Sequence, residues 1–141
     1  MVMVVGLLNI FGKKDAASDI AKGPPFSLMT EFMPYKLYSK RSSSSTLRIT
    51  VRNLTKEILL TSVVAEVPSQ LSFDELMTSK QKEVRIGEIP PGESKDVRMN
   101  VYTSVGSDPG EYTMTLTTIA HYRDYGHVLN ALKKRITVEL I

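Results

Sequence analysis

The stretch Thr46 to Asn53, T-L-R-I-T-V-R-N, sets Leu47, Ile49 and Val51 on one face of an extended strand and Thr46, Arg48, Thr50 and Arg52 on the other. Successive side chains in a strand point to opposite sides, so this alternation describes a strand with one face in a core and one in water. The pattern returns at Lys95 to Thr103, with Val97, Met99 and Val101 inward, and at Tyr112 to Thr118, with Tyr112, Met114 and Leu116 inward. Turn residues separate the three runs, which predicts an all-β, antiparallel sandwich laid down strand by strand.

Working outward, Phe26 to Lys40 carries Phe26, Phe32, Tyr35 and Tyr38. It reads as a first strand bent or broken at Pro34, since a proline donates no hydrogen bond and suits an edge. Ser42 to Ser45 reads as a short flexible connector. Ile58 to Val67 has apolar residues on both faces, the mark of a central strand covered on both sides or packed by the N-terminal segment. Pro68 ends it. Leu71 and Phe73 suggest a short fourth strand, and Asp74 to Lys80 a loop or one helical turn. Val84 and Ile86 are the inward positions of the next strand. Gly87 to Ser94, G-E-I-P-P-G-E-S, follows as a tight reversal, with prolines presetting φ and Gly92 free to take φ above zero. Ser107 to Gly110 turns the chain again, Arg123 to His127 forms a loop, and Lys134 to Leu140 closes the domain with Ile136, Val138 and Leu140 inward. The total is seven or eight strands over residues 26–141, at the spacing of a sandwich.

The segments Leu47 to Thr55 (L-R-I-T-V-R-N-L-T), Glu66 to Pro68 (E-V-P), Gly87 to Val97 (G-E-I-P-P-G-E-S-K-D-V) and Gly110 to Leu116 (G-E-Y-T-M-T-L) follow one another in this order. Together they resemble the bacterial and archaeal immunoglobulin-like modules of the cell-adhesion-related (CARDB-like) type. The likeness covers residues 35–141. It implies an immunoglobulin-like fold and a noncatalytic binding or architectural role, and it carries no functional residue to transfer.

Composition sets limits. At 141 residues the chain has the length of one domain and can bury about two-thirds of its unfolded surface without a metal or disulfide. It has no cysteine, which removes disulfides, thiolate nucleophiles and cysteine metal sites together. The net charge of +3 is concentrated early: through Glu57 there are nine Lys or Arg against four Asp or Glu, and beyond it nine against eleven. These basic residues stand singly or in pairs without interleaved aromatics, so no nucleic-acid partner is expected.

Chemistry has few footholds. His121, Asp124 and His127 fall within H-Y-R-D-Y-G-H, and imidazoles with a carboxylate are the right types for zinc or nickel. Such a site normally takes about three or four protein donors at fixed spacing, however, and no third histidine exists. These residues read as polar loop positions, with Tyr122 and Tyr125 capping the sandwich edge. No G-x-S-x-G elbow or glycine-rich phosphate loop occurs, so neither a catalytic site, a metal nor a cofactor is expected. Asn53-Leu54-Thr55 is a glycosylation sequon at a strand-to-turn junction.

Residues 1–25 form a leader of different character, apolar from Met1 to Phe11, basic at Lys13 and Lys14, and stopped by Gly23-Pro24-Pro25. If Val4 to Lys14 is helical, Val4, Leu7, Leu8 and Phe11 make one stripe, widened by Val5, Ile10 and Met1. The interaction residues read from this pattern are Leu7, Leu8, Ile10, Phe11, Lys13 and Lys14. They would be covered by the sandwich, by a second subunit in a homodimer, or by a membrane surface met through residues 1–14. The apolar part precedes the lysines, the reverse of a secretory signal, and falls short of the ~20 residues of a spanning helix. A cytoplasmic location, open to membrane association, is the expectation. The function expected is a noncatalytic protein-interaction or architectural module, with a peripheral membrane adaptor and a secreted adhesion or carbohydrate-binding module as alternatives.

Overall fold

The computed structural model describes residues 24–34 and 36–141. Seven strands form two antiparallel sheets: β1 (Phe26–Met33), β2 (Ser43–Asn53), β3 (Leu59–Glu66), β4 (Gln81–Ile89), β5 (Ser94–Thr103), β6 (Gly110–His121) and β7 (Val128–Leu140). One sheet has the order β1-β2-β5 and the other β4-β3-β6-β7. The chain crosses between the sheets after β2, β4 and β5, so the pairs β1-β2, β3-β4 and β6-β7 and the single strand β5 are shared between two layers that enclose one core. The described residues contain no helix, and thus none long and apolar enough to cross a membrane. Leader residues Leu7, Leu8, Ile10, Phe11, Lys13 and Lys14 lie outside the described residues.

Alternation places the core. Leu47, Ile49 and Val51 of β2 and Val97, Met99 and Val101 of β5 are buried, facing Leu59, Val63 and Ala65 of β3 and Met114, Leu116 and Ala120 of β6. Each fully buried Leu, Ile or Val contributes about 1.5–3 kcal/mol of transfer free energy, which makes the register of these strands costly to shift. Phe26, Leu37, Leu71 and Phe73 join the same cluster. After β1 the chain pairs with the opposite sheet instead, through a parallel bridge between Leu37 and Leu140, with Ile141 donating its N–H to Leu37 O at 3.0 Å.

Several sequence expectations are corrected. Ser42 to Ser45 is not a flexible connector: Ser43, Ser44 and Ser45 begin β2, opposite Thr103, Tyr102 and Val101. Their hydroxyls find partners in the fold, Ser43 Oγ with Thr103 Oγ1 at 2.6 Å and Ser45 Oγ with the Pro34 carbonyl. Leu71 and Phe73 do not make a strand; only an isolated bridge, Ser72 to Tyr102, forms there, although both apolar side chains are buried. The last strand starts at Val128 rather than Lys134, because β6 extends far enough to pair it along its whole length. The reversal after Ile89 joins strands in different sheets, and Gly92 (φ 75°) donates its N–H to Asn53 O at 2.9 Å within it. At Gly87 (φ 97°) β4 is bulged, leaving Ile86 unpaired between Thr61–Gly87 and Ser62–Arg85.

Candidate functional site

Three places in the fold could carry function: the histidine loop, the charged outer face of the three-stranded sheet, and the end of the sandwich where β2 meets β3 and β6 meets β7.

The β6–β7 connection folds back over the outer face of the four-stranded sheet. His121 points outward from β6, between Leu60 of β3 and Val128 of β7. It is nonetheless only 6% exposed, because Tyr125 meets its ring edge-on at 5.1 Å and the Arg85 guanidinium lies 4.8 Å over Tyr125. Beneath it, His121 Nε2 shares a 2.7 Å hydrogen bond with Ser62 Oγ. A serine beside an imidazole invites a hydrolase reading, and two observations oppose it. Ser62 is 0% exposed, so no substrate carbonyl reaches its oxygen. In a triad the far ring nitrogen is oriented by a carboxylate, whereas His121 Nδ1 has no partner and Asp124 serves other donors.

Asp124 accepts from Gly126 N at 2.9 Å and pairs with His127 Nδ1 at 2.7 Å. The His127 bond, then the Gly126 bond, hold its carboxyl below the usual range. The fold therefore separates the residues of H-Y-R-D-Y-G-H: His121 turns down to Ser62, while His127 pairs with Asp124 and tilts against Tyr122 at 5.0 Å. Among the described residues no three of His, Asp or Glu converge as metal donors.

The outer face of the other sheet is mostly polar, with Met29 exposed among its charged residues. Arg48 bonds Asp96 at 3.0 Å and stands 3.8 Å from Glu31, and Thr50 donates to Asp96 at 2.9 Å. The Thr50 bond, then Arg48, lower the Asp96 carboxyl. A hollow here is lined by Met29, Thr30, Glu31, Arg48 and Thr50.

The end of the sandwich differs. Asn53, read from the sequence as a sequon, is 0% exposed and closed to glycan transfer in the folded chain. Its Nδ2 donates to Glu57 O and Ile89 O at 2.7 and 2.8 Å, and its Oδ1 accepts from Thr55 N and Oγ1. This knot ties down the β2–β3 turn and leaves Leu54 and Ile58 in solvent. Tyr122, Val128 and Leu129 stand at the same end on the β6–β7 hairpin. The five are between 46% and 59% exposed. Sequence reading missed this surface; its one signal was the apolar residues on both faces of Ile58 to Val67.

No protein-family model matches the chain, and no curated protein does. Solved structures share the fold at low identity. E. coli alpha-2-macroglobulin aligns with a TM-score of 0.60 and 16% identity over 84% of this chain, which spans only 7% of that protein's length. The CARDB domain of a Pyrococcus furiosus protein, solved in complex with di-metal ions, aligns at 0.53 and 13% over 84% of this chain and 89% of that one. A FixG-related protein from Vibrio parahaemolyticus aligns at 0.52 and 11%, over 83% and 97%. Two antiparallel sheets of three and four strands, with crossings after β2, β4 and β5, make this chain an immunoglobulin-like β-sandwich of the kind seen in the CARDB domain.

Proposed function

We propose that this sandwich is a noncatalytic protein-interaction module whose contact surface is the apolar end formed by Leu54, Ile58, Tyr122, Val128 and Leu129. The observation that carries the reading is the contrast between polar groups and apolar ones. Ser62 and His121 are sealed, and Arg48, Glu31 and Asp96 on the opposite sheet are paired with one another. The five apolar side chains at this end, by contrast, are left in water, as are Leu76 and Val105 at the opposite end, where they stand on two separate connections. Clustered exposed apolar residues mark interaction sites more often than scattered ones do. The fold supports the reading by analogy alone, since a sandwich hosts many functions.

Position-specific photo-crosslinking in the source cells tests this. A crosslinker at Val128 should give discrete protein adducts, and one at Asn100, on the outer face of the three-stranded sheet, should not. Equal adducts at both positions, or none at Val128, would overturn the assignment. Adducts to lipid alone at Val128 would favour a peripheral membrane adaptor instead.

A further inference from the structure

We infer that the sandwich stacks head to tail on further copies of itself, the end that carries Leu54, Ile58, Tyr122, Val128 and Leu129 meeting the opposite end of the next copy. The inference rests on reading the first of these ends as a contact surface, and it names the partner.

The exposed apolar side chains are distributed between two poles. The connections β2–β3, β4–β5 and β6–β7 lie at one end of the sandwich, and β1–β2, β3–β4 and β5–β6 at the other. Eleven large apolar residues are exposed among the described residues, and ten of them sit at these ends. The five named above hold the first end. Met33, Tyr38, Leu76, Val105 and Ile141 hold the second, with Leu76 at 82% and Val105 at 71% the most exposed of all. Met29 alone stands on a face, beside Glu31 and Arg48.

Each end is held in shape before a partner arrives. The Asn53 knot fixes the first. At the second, Lys40 N donates to Ser107 O at 3.0 Å and Asp108 N to Gln70 Oε1 at 3.2 Å, so its three connections are bonded to one another. The sides offer a second copy less. An open strand edge invites pairing, but Lys134, opposite the buried Leu116, carries its ammonium inward to Leu28 O at 3.2 Å. The bulge at Gly87 interrupts β4, and Ser72 occupies the end of β5 through its bridge to Tyr102.

Charge favours unlike ends. With His127 neutral, Lys56 and Arg123 against Glu57, Glu93 and Asp124 leave the connections of the first end at −1. Lys36, Lys40, Arg41 and Lys80 against Asp74, Glu75 and Asp108 leave those of the second at +1. Joining two like ends sets like charges together and leaves five exposed apolar residues per chain uncovered. A head-to-tail junction covers both ends and, because it does not close on itself, repeats along an open chain.

Area sets the strength. With ~4.8 Å between strands and ~10 Å between sheets, the end of such a sandwich measures roughly 20 Å each way. A junction then buries about 400 Å² per partner, half of the ~800 Å² of a standard interface. The stack therefore forms where the protein is concentrated, on the order of millimolar.

The chain has no cysteine, so single introduced ones report cleanly. Leu129→Cys and isotopically labelled Leu76→Cys, each shown folded by circular dichroism, are mixed at about 1 mM and treated with a short bismaleimide. The mixed adduct, identified by mass, should form about tenfold faster than either like pair and than Leu129→Cys with Asn100→Cys, since a junction raises the effective concentration of its own two sites. Like pairs forming as fast as the mixed one, or no excess over the Asn100 control, would overturn the inference. As a second readout, the apparent mass of the full chain by light scattering should rise over this concentration range, and Leu76→Glu with Val105→Glu should remove the rise. A constant mass in the native chain, or a rise that survives both substitutions, would overturn it too. Protein adducts at Val128 in cells without such stacking would leave the contact surface standing with a different partner, so the two readings fail separately.

Discussion

The Asn53 side chain donates from Nδ2 to the Ile89 carbonyl at 2.8 Å, joining the end of β2 to the end of β4 across the two sheets. One buried amide thus fixes both the β2–β3 turn and the crossing that begins at Pro90, where Gly92 N and Glu93 O bond the Asn53 backbone. The placement of Leu54 and Ile58 in solvent follows from it.

Asn53→Ala is therefore expected to destabilise the fold by about 1–3 kcal/mol, since it strands the buried Ile89 carbonyl. Denaturant melts measure this. A loss no larger than that of an exposed control such as Lys56→Ala would show that the knot holds nothing.

Ile49→Ala should cost about 2–5 kcal/mol, the range for a fully buried large-to-small change. Its neighbour Arg48, on the outer face and partly exposed in its pair with Asp96, should cost about 1 kcal/mol or less when changed to Ala. Equal midpoint shifts for the two would contradict the register of β2.

Ser62→Ala leaves both ring nitrogens of His121 without partners in a buried place, at an expected cost of about 1–3 kcal/mol. Adding His121→Phe removes the orphaned polar atoms and keeps a ring for Tyr125 to meet. The double variant should melt above Ser62→Ala; additive losses would mean that the hydrogen bond is not the coupling.

Thr118 is fully buried and its Oγ1 has no hydrogen-bond partner. Thr118→Val keeps the shape and removes the unsatisfied hydroxyl, so a gain of about 1 kcal/mol is expected. A lower melting temperature would point to a partner for that hydroxyl.

Asp74 accepts hydrogen bonds from Ser72 Oγ, Thr78 Oγ1 and the N–H groups of Ser79 and Thr78, which hold its carboxyl well below its usual value of 3.8. A carboxyl depressed on folding contributes stability that is present above the unfolded value and lost as pH falls toward the folded one. The difference in melting temperature between the native chain and Asp74→Ala should be constant near neutral pH and narrow below about pH 4. A difference that does not change with acid would show that the loop bonds do not depend on the charge.

How much was legible in the sequence follows from the range of each interaction. The inward sets Leu47, Ile49, Val51 and Val97, Met99, Val101 were readable because a strand's period of two is local. The chain needed no partner to display it. Proline and glycine at Pro90 to Gly92 likewise announced a reversal, since they act on their own backbone angles. Which sheet each strand joins was not local, and the sequence left open that this reversal crosses between layers. Ser43 to Ser45 look like a linker until Thr103 and the Pro34 carbonyl, brought in by the fold, satisfy their hydroxyls. His121 and His127 look like a pair in sequence, yet the fold parts them: His121 finds Ser62, 59 positions away, and His127 finds Asp124. A hydrogen bond is decided by which polar group arrives within about 3 Å, and over such separations only the packing of two sheets brings that group there.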